Sequence, residues 1–251
     1  MKKVLLALAL ALAAAAFPAA AQSPVITVKE SPRWGSFQVS ISPYSPNIDS
    51  EFAAGSLQPY ATVFGTGRPL MVQALFNKSL WITEFGTLDL GVGAGYWEAW
   101  GQGVYFTGTT IVRGGTTSIM LIPIQAQVSY RWEWFYERFE IPLEPYVRFA
   151  IVDAIWSTSG QNGVSSWTTA DGTIQRGSGA TFGWSTTLGL ALVLDFFDTG
   201  LSRQMDYDVG INRTLLFFDF TRSSVNDFGS SKSWQLGPSY WAWSAGILFV
   251  F

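Results

Sequence analysis

The chain has no cysteine and no histidine among its 251 residues. Without thiols there is neither a disulfide scaffold nor a thiolate metal site. Without imidazole the usual general base, metal ligand and partner of a nucleophilic serine are all missing. No G-x-S-x-G elbow is present, and Lys78 and Lys232 have no marked serine partner, so the chain is not expected to be an enzyme or to carry a cofactor or metal. Charge is scarce as well. Asp, Glu, Lys and Arg make up 13% of the residues, against about 25% in ordinary soluble domains. The net charge of −3 offers no basic face for nucleic acid. Beyond the N-terminal segment, no stretch reaches the about 18 uninterrupted apolar residues that mark a spanning helix.

What is abundant is apolar and aromatic: 48% and 16% of residues, with 12 tryptophans. A soluble surface needs more charge than this, so part of the surface is expected to face something other than water. Met1-Lys2-Lys3, the apolar run Val4 to Ala16 and the small residues Ala19 to Ala21 form a secretory signal pattern, with cleavage expected after about Ala21. Residues 1–21 are therefore read as a signal peptide, 22–32 as an N-terminal periplasmic extension and 33–251 as one domain. An exported, charge-poor chain without a membrane helix has one other way to satisfy its backbone in lipid, a closed β-barrel.

The alternation fits. In TSIMLIPIQAQVSYRWEW, Met120, Ile122, Ile124, Ala126, Val128, Tyr130 and Trp132 share one parity. Pro123, Gln125, Gln127, Ser129 and Arg131 share the other. The run is about as long as the 9–11 residues a tilted spanning strand requires. In TLDLGVGAGYW, Leu88, Leu90, Val92, Ala94 and Tyr96 alternate with Asp89, Gly91, Gly93 and Gly95. The glycine ladder reads as small residues facing a crowded lumen. Eight strands are predicted at 33–42, 69–81, 87–102, 117–132, 144–158, 180–194, 211–222 and 236–251. The fold class is all-β: a closed antiparallel transmembrane barrel with short helical turns on the periplasmic side. Connections 43–68, 103–116, 159–179 and 223–235 are expected outside the cell. Those at 82–86, 133–143 and 195–210 are expected in the periplasm, with short helices in the last two. The competing architecture, a soluble lipocalin-like barrel, would turn its apolar face inward. Aromatics flanking an outward aliphatic band argue against it.

The stretches SPYSPNIDSEF, PYATVFG, YERFEIPLEPYVR and GINRTLLFFDF, with the terminal FVF, resemble a small outer-membrane β-barrel family of myxobacteria and related Gram-negative bacteria. The resemblance implies a small outer-membrane barrel, of the eight-stranded class, and supplies no catalytic residues to carry over. Ile247, Phe249 and Phe251 resemble the terminal signal read by outer-membrane assembly machinery, so that machinery and outer-membrane lipid are the expected partners.

Inward parity gathers a lumen charge cluster: Asp89, Arg131, Arg148, Arg213 and Asp219. Buried charges are costly unless paired, so these are read as a salt-bridged plug. The excess of arginine leaves open a narrow, anion-preferring channel for small solutes. Trp97, Trp100, Trp132, Trp134, Trp241 and Trp243 lie toward strand ends and are read as interface aromatics. Asn47, Asp49 and Glu51 lack the spacing of an EF-hand loop and read as a solvated acidic loop. The functional expectation is a structural scaffold displaying loops at the cell surface, with 43–68 and 159–179 as candidate partner contacts.

Overall fold

The computed structural model describes residues 31–53, 57–107, 110–161, 163–168, 171–230 and 233–251. The signal-like segment 1–21 and most of the expected extension 22–32 lie outside the described residues. The elements run β1 (Gly35–Pro43), a 3₁₀ turn (Ile48–Glu51), a helix (Pro59–Phe64), β2 (Leu70–Thr83), β3 (Gly86–Thr107) and β4 (Thr110–Trp132). A second helix (Trp134–Phe139) leads to β5 (Leu143–Gly160), the short strands β6 (Gly163–Val164), β7 (Ser166–Thr168) and β8 (Ile174–Arg176), and then β9 (Ser178–Val193). A 3₁₀ turn (Leu194–Phe196) and a third helix (Thr199–Val209) precede β10 (Arg213–Val225) and β11 (Ala242–Val250).

Eight of these strands close a ring in the order β1-β2-β3-β4-β5-β9-β10-β11, all antiparallel, with β11 returning to β1. The seam is pinned beyond the last ladder pair. The Phe251 amide donates to the Gly35 carbonyl at 2.9 Å, and the Phe251 carbonyl accepts from Trp34 at 2.6 Å. The Phe251 ring stacks on Trp34. A line of paired residues leaves β5 at Asp153 and passes through Ile124, Ala94, Ala74, Val39, Ile247, Leu216 and Leu192. It returns to β5 at Leu143. That stagger of ten residues in eight strands corresponds to a tilt of about 40° and an interior just wide enough for side chains.

The period-two pattern sorts the two faces. Val39, Phe76, Val92, Ile124, Ile151, Leu188, Leu216 and Ile247, one from each strand, are exposed on the outer wall. Gln38, Asn77, Asp89, Gln127, Arg148, Thr187, Asp219 and Ser244, again one from each, are buried inside. An apolar surface running right round the ring far exceeds the few hundred Å² that soluble proteins leave exposed. The barrel is of the transmembrane kind, and the lipocalin-like alternative, with apolar side chains turned inward, does not hold.

Several sequence expectations shift at the strand ends. β3 and β4 stay paired as far as Thr107 and Thr110, so most of 103–116 extends the hairpin rather than forming a loop. The segment is rich in Thr, Val, Tyr and Ile, which favour strand. The 159–179 connection is built partly of β6 to β8, with β7 and β8 as a separate two-stranded ribbon. β11 starts at Ala242 rather than 236, because Leu236 turns into the barrel and its amide bonds the Val225 carbonyl at 2.8 Å. The helical turns expected at 133–143 and 195–210 are present. The 199–209 helix is capped by the Asp198 carboxylate on the Gly200 and Leu201 amides and ends at Gly210 in the left-handed region, φ 72°.

Candidate functional site, a closed lumen

At the end where β1 begins and β11 finishes, Glu133 lies just past β4 and is fully buried. The Arg131 Nη2 approaches its Oε1 at 2.9 Å, the Arg213 Nη1 its Oε2 at 3.5 Å, and Arg33 also pairs with Oε2. The Thr87 hydroxyl donates to Oε1 at 2.8 Å. Glu144, at the start of β5 and equally buried, takes the other side of the same guanidinium groups: Arg213 Nη1 at 3.0 Å and Arg131 Nε at 3.2 Å. Glu137 from the 134–139 helix completes the ring with Arg213 at 3.1 Å and Arg33 at 3.3 Å. Burial pushes the Glu133 carboxyl up, but Arg131, Arg33 and Arg213 outweigh it and hold it down at about 2. This is an alternating charge layer across the barrel, with every buried ion facing at least one opposite charge, as burial demands.

Residues of the N-terminal segment clamp this layer from outside. Asn212 donates to the Ser31 carbonyl at 2.7 Å, and the Ser31 amide reaches Asp206 at 3.2 Å. Both contacts hold Arg33 over Glu133.

Above the charge layer lies a belt of polar pairs. Ser79 donates to Asp89 at 2.8 Å, Asn77 to Ser36 at 3.1 Å and Gln127 to Asn77 at 2.6 Å. Tyr146 donates to Asp219 at 2.6 Å, Ser244 donates to the other Asp219 oxygen, and Arg148 donates to Gln38 at 2.9 Å. The Tyr146 ring lies across Gly189, its paired residue on β9. A Cβ there would sit 2.2 Å from Tyr146 Cζ, so this position needs glycine.

The opposite end is apolar. Trp97, Ile119, Leu121, Met71 and Val152 point inward, roofed by Tyr44, Ile48, Tyr60 and Leu236 from the connections. Trp97 donates to the Pro69 carbonyl at 3.2 Å and meets Tyr44 edge-on. Asp49 does not stand in solvent: its carboxylate caps the 59–64 helix through the Tyr60 and Ala61 amides at 2.7 and 2.9 Å.

The five charges read from parity are all buried and lie at two levels. Arg131 and Arg213 belong to the charge layer, Asp89 accepts from Ser79 and faces Arg131, and Arg148 and Asp219 belong to the polar belt. The expected excess of arginine is also corrected. Glu133, Glu137 and Glu144 balance Arg33, Arg131 and Arg213. The missed glutamates carried a signal: Glu133 is two residues past Arg131, and Glu144 two before Tyr146, both on inward parity. A fourth strand ending at 132 leaves the first just outside it. Trp97 is a further correction. It is 1% exposed inside the lumen rather than at an interface, because it follows lipid-facing Tyr96 by one residue. Trp100, Trp132, Trp241 and Trp243 are exposed on the outer wall. Trp134 opens its helix and meets the Phe135 and Phe139 rings edge-on.

No family model matches this chain, and no curated protein matches it. Among solved structures it is similar to Neisserial surface protein A, at 11% identity over 87% of this chain and 97% of that one, with a TM-score of 0.44. It is similar to Ail, the attachment invasion locus protein of Yersinia pestis, at 10% identity over 87% and 97%, TM-score 0.37. It is also similar to the N-terminal β-barrel domain of Pseudomonas aeruginosa OprF, at 11% identity over 88% and 100%, TM-score 0.33.

Proposed function

We propose that the protein is an outer-membrane barrel with a closed lumen. Its role is that of an anchor holding the extended β3–β4 hairpin and the 161–177 connection on the cell surface, with both termini in the periplasm. The signal pattern of residues 1–21, the family resemblance and the girdle of apolar side chains support the location. One observation carries the closed-lumen reading. Glu133 and Glu144 are buried side by side, each held by Arg131 and Arg213, in a layer that spans the bore. An anion-preferring channel is disfavoured by the same layer, since its acids offset the arginines. Reconstituted into planar bilayers, the folded protein is expected to show no steady conductance. Sustained steps that change amplitude in Arg148→Ala would replace the anchor with a channel.

The reading extends to assembly. Ile247, Phe249 and Phe251 are taken as the segment that outer-membrane assembly machinery engages, and Phe251 also closes the seam through Trp34 and Gly35. Deleting Phe251 is expected to reduce the heat-modifiable, folded fraction in outer membranes several-fold. Wild-type levels of folded protein would dismiss the assembly role.

A further inference from the structure

Between the polar belt and the apolar roof lies a cavity of about 80 Å³. Leu121, Val152 and Leu236 form apolar walls, and Arg148 stands in the floor. The roof is held in place: the Leu236 amide bonds Val225, and its carbonyl accepts from the Tyr44 hydroxyl. Below, a smaller cavity of about 20 Å³ shares Arg148 with it and is lined further by Tyr146, Asp89 and Arg131 of the charge layer.

Arg148 is the least compensated of the buried guanidiniums. Its hydrogen bond goes to the neutral carbonyl oxygen of Gln38. Its nearest carboxylate, Asp219, is 4.0 Å away, and both oxygens of that carboxylate already accept from Tyr146 and Ser244. Among the described residues, nothing accepts from its Nε. Tyr146 meets it through its ring, at 5.5 Å, and its hydroxyl, neither of which carries a negative charge. A cation buried this deeply calls for a negative partner with good geometry. A carboxylate accepts charge-assisted hydrogen bonds from whichever guanidinium N–H groups remain unpaired.

We propose that this cavity binds a small monocarboxylate, its head on Arg148 and its short hydrocarbon tail against Leu121, Val152 and Leu236. The volume is about half that of the 150 Å³ apolar cavity that accepts benzene, which limits the tail to a few carbons. The inference rests on the closed-lumen reading, because the charge layer seals the cavity's inner side.

The test uses the full mature chain folded in an uncharged detergent, titrated calorimetrically with butyrate, butyramide and butylammonium. Butyrate is expected to bind saturably and butyramide about tenfold or more weakly, the difference expected for hydrogen bonds to a charged group. Butylammonium is expected not to bind. Arg148→Gln is expected to bring butyrate down to the level of butyramide. Leu121→Phe, which fills the cavity and leaves Arg148 in place, is expected to weaken both. Absence of saturable butyrate binding, equal affinity for acid and amide, or butyrate binding untouched by Leu121→Phe would each overturn the proposal. If Arg148→Gln does not fold, the ligand comparison and Leu121→Phe still decide. A bilayer conductance, by contrast, would count against the closed lumen and not against the Arg148 contact.

Discussion

Glu133→Ala is expected to lower the unfolding free energy by about 3–5 kcal/mol, read from urea titrations in lipid vesicles, because three guanidinium groups lose their shared buried carboxylate. The size of the effect follows from asymmetry. Forming such a layer yields little net stability, since desolvation cancels most of the attraction, whereas removing one member strands the others. Arg33, Arg131 and Arg213 would keep only Glu144 and Glu137, and Thr87 would lose its acceptor. The same residue sets an acid response. Its carboxyl ordinarily titrates near 4.5 and is held at about 2 in the fold. A depressed folded value means the stabilisation is fully present above 4.5 and is lost as pH falls toward 2. Glu133→Gln is therefore expected to flatten the stability profile in that window while leaving its shape at neutral pH unchanged. A loss under about 1 kcal/mol for Glu133→Ala, or an unaltered acid slope for Glu133→Gln, would show that the charge layer is not the structural lock of the lumen.

Leu188→Arg is expected to cost about 2–4 kcal/mol and to reduce assembly, as a charge at the middle of the lipid-facing wall does. Leu188 is flanked on the wall by Val147 and Phe220 and lies five residues from the Val193 end of β9. At this tilt that is about 13 Å into a band about 25 Å tall. Ile124→Arg, equally exposed, should cost clearly less. Its direct partner on β5 is Asp153, a carboxylate within reach of the new guanidinium. The pair of measurements separates depth and local charge from mere exposure. No loss at 188 would mean that the exposed apolar belt does not meet acyl chains, and equal losses at 124 and 188 would mean that Asp153 does not compensate the new charge.

Much of the fold is legible in the sequence. The alternation through Met120 to Trp132 assigned each side chain to its face, and the parity of Asp89, Arg131, Arg148, Arg213 and Asp219 put them indoors. The errors arose where alternation stops being informative. The chemistry of Trp97 suggests an interface residue, while its parity points to the lumen. Asp49 sits in an irregular connection, where nothing local announces that its oxygens cap a helix eleven residues on. Residues 236–241 fall within the predicted last strand, yet Leu236 turns inward to roof the cavity. Glu133 fell one position beyond the assigned strand.

The one-dimensional order of residues was enough for the ring and its two chemistries, because a strand's facing repeats every two residues regardless of its neighbours. It could not decide who meets whom across the bore. Glu133, Glu144 and Arg213 are brought together by a stagger of ten residues around eight tilted strands. That stagger is a collective property of all eight pairings, fixed only when the ring closes, and no single segment carries it.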